Sequence, residues 1–207
     1  MRATLIEAAA RLLAEEGPRN LTLRRLTAEV GTSTMAIYTH FGGMDELHRA
    51  VREEGFSRLA AHLGSVDQTD DPVADLGLLG VAYYLNATTN PNLYRVMFGE
   101  HGDGTDAMVG LDTFLTLADA VGRCISARRF RAAEAADLAT QIWAVGHGVV
   151  TLQLAGFLDP TQAIACFSEL GQNLFIAFGD KPGRVQSSMA SIQHRVANDS
   201  RFQALLG

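Results

Sequence analysis

The chain has 207 residues, of which 47% are hydrophobic, and this suffices to bury the core of one large or two small domains. A formal net charge of −6 argues against a protein that is basic throughout, but all of the excess acidity falls in residues 63–207, because residues 1–62 contain eight arginines and eight acidic residues. The first part of the chain can therefore still present one basic face to a polyanion.

Apolar positions recur every three or four residues, and no segment sustains an alternation with period two, which predicts an all-α protein of about nine helices. The first amphipathic helix begins near Leu5 and ends at Gly17-Pro18. A short second helix has Asn20 or Thr22 as its N-cap and ends at Val30.

A glycine, Gly31, separates the second helix from a short third helix. Thr32 or Ser33 can cap the third helix at its N-terminus, and Gly42-Gly43 stops it. A longer fourth helix begins near Asp45. Two short helices joined by a glycine turn are typical of a helix-turn-helix.

The polar and acidic segment 64–72 is the best candidate for a domain boundary, so we predict one domain over residues 1–62 and another over residues 63–207. Residues 99–106 form a polar loop, and the tail from Lys181 can add a weak terminal helix. The remaining predicted helices occupy about residues 76–87, 91–99, 111–125, 132–155 and 160–179.

Two helices of the second part, near residues 132–156 and 160–179, are apolar on almost every side. A helix of this kind must be covered all round. One side can pack on the core while the other meets a second copy of the chain, so these helices predict a two-fold homodimer. A monomer with a thick core is the alternative.

Residues 138–158 contain no acidic residue, lysine or arginine and are long enough to span a bilayer. Gln141, His147 and Gln153 interrupt this segment, and they favour a buried helix over a membrane span. No basic and then apolar leader opens the chain, because charged residues interrupt its start. We therefore expect a cytoplasmic protein without a membrane segment.

The two cysteines, Cys124 and Cys166, lack the spacing of metal ligands and fall within apolar helical patterns. We interpret them as reduced core residues, with a redox switch as the alternative. The sequence also contains no phosphate loop, HExxH motif, nucleophile elbow or helix with paired carboxylates. We expect neither an enzyme nor a bound metal or cofactor.

The third helix of the chain is the second helix of the predicted helix-turn-helix, so we predict that it is the recognition helix. In this motif the recognition helix lies in the major groove, with its N-terminal half against base edges. Hydroxyl groups there can donate to or accept from bases, and small apolar groups suit a thymine methyl. The candidate DNA-binding residues are Arg24, Thr32, Ser33, Thr34, Met35, Ala36, Tyr38, Thr39 and His40. The alternatives are that Tyr38 packs with only its hydroxyl exposed and that His40 is an ordinary surface residue.

Residues 3–60 resemble the DNA-binding domain of the TetR (tetracycline-repressor-like) family of bacterial transcription regulators. The matching residues are Ile6, Ala8, Ala9, Leu12, Leu13, Gly17, Leu21, Thr22, Leu26, Val30, Gly31, Ile37, Tyr38, Phe41 and Leu47. The resemblance implies a homodimer of nine or so helices, with an N-terminal DNA-binding head and a C-terminal ligand-binding and dimerisation domain. It also implies a palindromic operator, repression as the default, and an effector that weakens operator binding.

By position, the resemblance assigns base contacts to Arg24, Thr34, Met35 and Ala36, and phosphate contacts to the segment 38–40. Two features depart from the family. Met44 stands where many members have a phosphate-binding lysine. The basic arm before the first helix is missing, because the chain begins at Met1-Arg2. Both departures remove positive charge, so we expect operator binding to be weaker or more sensitive to salt.

The second part resembles one subgroup of the family through the segment NPNLYRVMFG at residues 90–99 and through Trp143 with His147-Gly148. Large side chains around one helical cavity favour an apolar or aromatic effector, with His147 as its single polar anchor. A core histidine bonded to a carbonyl is the alternative. The candidate ligand-binding residues are Tyr83, Phe98, Phe114, Trp143 and His147.

A ligand held between the sixth, seventh and eighth predicted helices would have to shift the fourth and so change the spacing of the two recognition helices. The main rival is a degenerate family member that serves as a protein-interaction module without DNA binding. The absence of the arm and Met44 favour this rival slightly.

Overall fold

The computed structural model describes residues 1–99 and 110–202, and every regular element in these ranges is an α-helix. The prediction of an all-α protein is therefore confirmed. The tail after Lys181 forms a helix of 17 residues. Residues 100–106 of the predicted loop lie outside the described part of the chain. The helices are α1 (Arg2–Glu16), α2 (Leu23–Val30), α3 (Thr34–Phe41), α4 (Met44–Gly64), α5 (Pro72–Thr89), α6 (Pro91–Phe98), α7 (Leu111–Ser126), α8 (Ala135–Leu154), α9 (Pro160–Ala177) and α10 (Pro182–Asn198).

The ends of the short helices follow local capping chemistry. Thr22 caps α2, since its Oγ1 accepts a hydrogen bond of 3.2 Å from the backbone N–H of Arg25. Gly31 and Gly42 end α2 and α3 in the left-handed region, with φ of 69° and 92°. A side chain is strained in this conformation, so glycine permits the sharp stop after each helix.

The chain divides into two compact units. The first unit comprises residues 1–59 and 89–111, and the second comprises residues 60–88 and 112–207. The domain boundary predicted after residue 62 stays a prediction.

The first unit has one apolar core, to which α1, α2, α3, α4 and α6 contribute. Arg58 of α4 links three segments around this core. It donates to Glu54 at 2.9 Å and to Asn90, the N-cap of α6, at 2.7 Å, and it also pairs with Glu7 of α1. The core members are Leu5, Ile6, Ala9, Ala10, Leu12, Leu21, Leu26, Ile37, Leu47, Val51, Leu93 and Val96.

In the second unit, the Phe167 ring of α9 lies against glycines of two other helices. A Cβ added to Gly80 of α5 would stand 3.1 Å from this ring, and a Cβ added to Gly146 of α8 would stand 3.4 Å from it. Tyr84 meets the same ring edge-on, with centroids 5.8 Å apart. The two glycines therefore allow three helices to pack around a single aromatic side chain.

Two polar clusters also hold the second unit together. In the Arg129 cluster, Arg129 donates to Asp180, Asp71 and Ser188, each at 2.9 Å, and Arg129 and Asp180 are almost completely buried. Burial alone would raise the pKa of Asp71, but hydrogen bonds from Ser188 and the backbone and the charge of Arg129 outweigh it and lower that pKa.

The second cluster, the Asp75 cluster, is centred on a buried carboxylate near the start of α5. Asp75 accepts from Arg123 at 3.0 Å, from Arg195 at 2.9 Å and from the backbone N–H of Thr69 at 2.7 Å. Burial would raise the pKa of Asp75, but these hydrogen bonds outweigh it, and the pKa is lowered. The Asp75 side chain thus joins three parts of the unit: α7, α10 and the segment that precedes α5.

None of the helices in the described ranges combines the length and apolar character that a membrane crossing requires. This includes α8, which covers most of residues 138–158.

Candidate nucleic-acid interface

Helix α3 is attached to the first unit by one face and open to solvent on the other. Ile37 is completely buried in the core, and Phe41 packs against that core with part of its ring accessible. On the opposite side, 69% of Met35 and 51% of Tyr38 are exposed. An apolar anchor on one face and large accessible side chains on the other are what a groove-reading helix requires.

All nine candidate DNA-binding residues have accessible surface. Thr32 and Ala36 are half-buried, and the other seven are exposed. Burial of Met35 or Thr39 would have excluded contact with a base edge. The nine residues thus lie on accessible surface of the start of α2, the turn and α3, and their role in DNA binding stays a prediction.

The hydroxyl groups of this region differ in the hydrogen bonds they already make. Ser33 occupies the N-cap position of α3, but its side chain makes no capping hydrogen bond, so its hydroxyl can meet a base. The Thr39 hydroxyl donates to the Met35 carbonyl at 2.8 Å and retains its lone pairs as acceptors.

The arginines near α2 fall into two groups. Arg25 pairs with Glu16 at 2.9 Å and with Glu29 at 2.7 Å, and these hydrogen bonds raise its pKa. Arg11 is likewise paired with Glu29. Arg24 is exposed and forms no ion pair within residues 1–99 and 110–202. Of these three arginines, Arg24 is the one with an uncommitted charge for DNA.

Arg2 is a candidate contact that sequence reasoning missed. Its guanidinium lies 5.3 Å from the centre of the Phe41 ring, which places a positive charge beside the C-terminal end of α3. His40 and Thr39 are exposed at this end. Nothing in the local sequence pattern signals a contact between residues so far apart along the chain, so only the fold could reveal it.

Four of the five candidate ligand-binding residues form an aromatic cluster in the second unit. The Tyr83 hydroxyl lies 3.3 Å from Nδ1 of His147, and the Trp143 ring contacts the rings of Phe114 and His147 at 6.2 and 6.1 Å. Burial lowers the pKa of His147 and favours its neutral form. The fifth residue, Phe98, belongs to the first unit.

A half-enclosed cavity of about 280 Å³ lies in the second unit between α5, α8, α9 and α10. Within the described part of the chain, its lining includes none of the five candidate ligand-binding residues. Sequence reasoning missed this cavity because its wall consists mostly of glycines and of aliphatic and aromatic residues, which have the same pattern as an ordinary packed core.

Burial raises the pKa of the Cys124 thiol to about 12, and its Sγ donates to the Pro72 carbonyl at 3.2 Å. Cys124 is therefore unreactive at neutral pH, whereas Cys166 is half-buried. Among residues 1–99 and 110–202, no group of three or more His, Cys, Asp or Glu side chains is placed to hold a metal ion.

Two family models match this chain. Residues 5–51 match the model described as bacterial regulatory proteins, tetR family, and residues 76–172 match the model described as tetracyclin repressor-like, C-terminal domain. The first matched range contains α2 and α3 with the turn between them, and the second contains most of α5, all of α6 to α8 and most of α9. Together the two ranges cover well over half of the chain.

Similar proteins agree with these matches. An uncharacterised HTH-type transcriptional regulator, Rv0681 of Mycobacterium tuberculosis, is 26% identical over 172 residues, which are 82% of this chain and 77% of the relative. The HTH-type transcriptional repressor DrrR1 of Streptomyces coeruleorubidus is 31% identical over 127 residues, which are 57% of this chain and 43% of the repressor. A structure of a protein of unknown function from Rhodococcus sp. RHA1 has 25% identity and a TM-score of 0.74, over 86% of this chain and 95% of that one.

Proposed function

The chain belongs to the TetR family of bacterial regulatory proteins, and from this membership we propose a ligand-responsive, homodimeric transcription regulator that acts in the cytoplasm. It binds a palindromic DNA operator through α3, by default as a repressor, and an apolar effector releases it. The observation that carries this proposal is the exposed face of α3 opposite the buried Ile37.

We assign direct reading of bases to the N-terminal half of α3 and to one arginine of α2, namely to Thr34, Met35, Ala36 and Arg24. Thr32 and Ser33 lie at the turn, where either hydroxyl can reach a base or a phosphate. Tyr38, Thr39 and His40 bind phosphates at the exit of the helix. A palindrome is expected because a two-fold dimer offers the same helix to two half-sites about one helical turn apart.

The proposed dimer uses α8 and α9. These helices carry several large apolar side chains with considerable exposure, at 39% for Trp143, 46% for Leu152, 41% for Ile164 and 40% for Ile176. Scattered exposed apolar residues are normal on a monomer, but their repetition along two neighbouring helices supports an interface. Sedimentation at micromolar concentration tests it, and a strict monomer would refute the dimer.

We further propose that effector binding favours one spacing of the two DNA-binding heads over the other. A ligand can shift this equilibrium only by the difference in its affinity for the two states. The aromatic cluster of Tyr83, Phe114, Trp143 and His147 remains a candidate contact surface for the effector, and the likeness to the Trp-His-Gly subgroup is part of this proposal.

A gel-shift assay with the intergenic DNA beside its own gene tests DNA binding. We expect a shift at low salt, which weakens steeply as salt is raised because counterions are released on binding. Tyr38→Ala should lower the affinity about tenfold or more, which corresponds to roughly 1.4 kcal/mol.

The matched control is Leu115→Ala, because Leu115 is a large apolar residue that is 47% exposed and lies on α7 in the second unit, outside both helices of the proposed dimer. We expect this variant to bind DNA as the wild type does. If no DNA fragment is shifted even at low salt, the transcription-regulator hypothesis is wrong, and the alternative of a protein-interaction module without DNA binding takes its place.

A further inference from the structure

We propose that the cavity between α5, α8, α9 and α10 is a binding site for one uncharged, apolar small molecule of two or three rings or an acyl chain of similar bulk. Its role as the effector site rests on the proposed function, whereas binding itself does not. The site differs from the aromatic cluster, since none of the cluster residues is among the described residues that line the cavity.

The size of the cavity suits a small molecule. Its volume is about 280 Å³, close to the lower end of the range for ligand pockets, which is roughly 300 Å³. A cavity of about 150 Å³ already accepts benzene. The deep side is formed by residues that are almost fully buried, at 2% exposure for Leu76 and 5% for both Phe175 and Ile192.

Four glycines line the cavity, and one of them has open space beside it. Gly77 and Gly80 of α5, Gly146 of α8 and Gly171 of α9 all line the cavity. At Gly77 and Gly80 the neighbouring helices fill the room that a side chain would need. At Gly171, by contrast, an added Cβ would meet no atom within 4 Å. The wall next to Gly171 is therefore open, and the recess is left unfilled by the helices around it.

The chemistry of the wall selects an uncharged occupant. Within the part of the chain that the structure describes, no lining residue carries a charge, and Tyr84, Ser168 and Gln193 are the polar ones. The Tyr84 hydroxyl is already engaged, because it donates to the side chain of Gln153. A buried charge without a partner is costly, so a carboxylate or an amine is disfavoured here.

A small molecule fits this recess better than a second copy of the chain. Protein interfaces use exposed side chains, and the exposed residues Trp143, Leu152 and Ile176 of α8 and α9 lie outside the lining. Of the large exposed apolar residues, Ile164 alone is among the described lining residues. A recess whose deep wall is buried offers a second subunit little to contact.

The test uses the full chain and N-phenyl-1-naphthylamine, an uncharged dye with a phenyl and a naphthyl group. Its fluorescence rises in apolar surroundings. We expect saturable binding of one dye per chain. Trp143, the single tryptophan of the sequence, should transfer energy to the bound dye because it neighbours the lining residue Ile142 on α8.

Gly171→Leu fills the open side of the recess and should weaken dye binding at least tenfold, with Gly171→Ala intermediate. The matched control is Gly183→Leu, since Gly183 is also helical, also has no atom within 4 Å of an added Cβ, and does not line the cavity. This control should bind the dye as the wild type does. Alanine favours a helix more than glycine does, so Gly171→Ala keeps the test valid if the leucine variant does not fold.

Three results would overturn the site: no saturable dye binding, unchanged binding in folded Gly171→Leu, or loss of dye as the protein concentration is raised through self-association. The last result would mean that a second copy covers the recess. Tyr38→Ala separates failure of the cavity site from failure of the proposed function, because this variant should keep dye binding while its affinity for DNA falls. If the wild type binds the dye but binds no DNA, the small-molecule site is supported and the proposed role as a transcription regulator is refuted.

Discussion

The two units use the same kind of ion pair in opposite ways. In the first unit, the side chains of Arg25 and Glu29 are 39% and 29% exposed, whereas in the second unit those of Arg129 and Asp180 are 5% and 1% exposed. Solvent screens an exposed pair, so it contributes little to stability and can be rearranged at small cost. A buried pair must be kept intact, because removal of one partner leaves the other charge buried and uncompensated, which strongly lowers the free energy of unfolding. The first unit therefore has an adaptable charged surface, and the second has helix ends fixed by polar contacts.

The largest effect that this comparison predicts is on stability in the second unit. Arg129→Ala leaves Asp180 buried without its partner and should lower the free energy of unfolding by about 3–5 kcal/mol. Urea unfolding followed by the helical circular dichroism signal, to which both units contribute, measures it. Arg25→Ala in the first unit should unfold almost as the wild type does. Similar losses in both variants would contradict the contrast between the units.

A second prediction concerns acid. The pKa values of Asp71 and Asp75 are lower in the folded protein than the usual value of about 3.9 in an unfolded chain. Their contribution to stability is therefore fully present above about pH 4 and is lost as the pH falls through the lowered values. Urea midpoints at pH 6, 4 and 3 should fall in that order.

The control for acid sensitivity is Asp75→Asn, which removes the charge that Arg123 and Arg195 share. This variant should be less stable than the wild type at pH 6 and should lose less further stability at pH 3. An unaltered pH dependence would mean that the Asp75 cluster is not responsible.

A third, smaller effect separates two adjacent arginines of the first unit. Arg24→Ala should weaken operator binding about tenfold, or roughly 1.4 kcal/mol, and reduce its salt dependence, because an uncommitted charge is lost. Arg25→Ala should change operator binding less, since its guanidinium is held by Glu16 and Glu29. Gel shifts at two salt concentrations measure both. Equal losses would show that these carboxylates release Arg25 to the DNA.

The smallest predicted effect distinguishes the two helix caps. Thr22→Ala removes a capping hydrogen bond and should cost about 1 kcal/mol of stability. Ser33→Ala removes a hydroxyl that makes no capping bond, so it should leave stability unchanged and weaken DNA binding instead. Thermal unfolding and gel shifts of the two variants provide the comparison, which fails if Ser33→Ala is the less stable of the two.

Much of the fold could be predicted because it depends on local patterns. Apolar spacing gave the helices, and the turn glycine Gly31 and the cap Thr22 fixed the ends of α2. For the tail after Lys181 the sequence predicted only a weak terminal helix, whereas α10 has 17 residues. Buried residues such as Val185, Ser188 and Ile192 show that α10 is formed with tertiary contacts, and local propensity does not report these.

The candidate interface was also partly accessible from the sequence, since one buried residue in α3 determines which neighbours face solvent. The contact of Arg2 with Phe41 and the cavity could not be predicted, because both depend on residues far apart along the chain. Gly80 and Gly171 illustrate the difficulty: both are helical glycines on the cavity wall, yet only the structure tells which one faces filled space.

The Phe167 ring, resting on Gly80 and Gly146, has an evolutionary consequence. A methyl group at Gly80 would stand 3.1 Å from the ring and press on it, so a lineage that gained alanine there is expected to carry a smaller residue at position 167. Positions 80 and 167 should therefore change together among homologous proteins. Each permitted combination would leave a recess of different depth, which offers a simple route for related regulators to diverge in the molecules they sense.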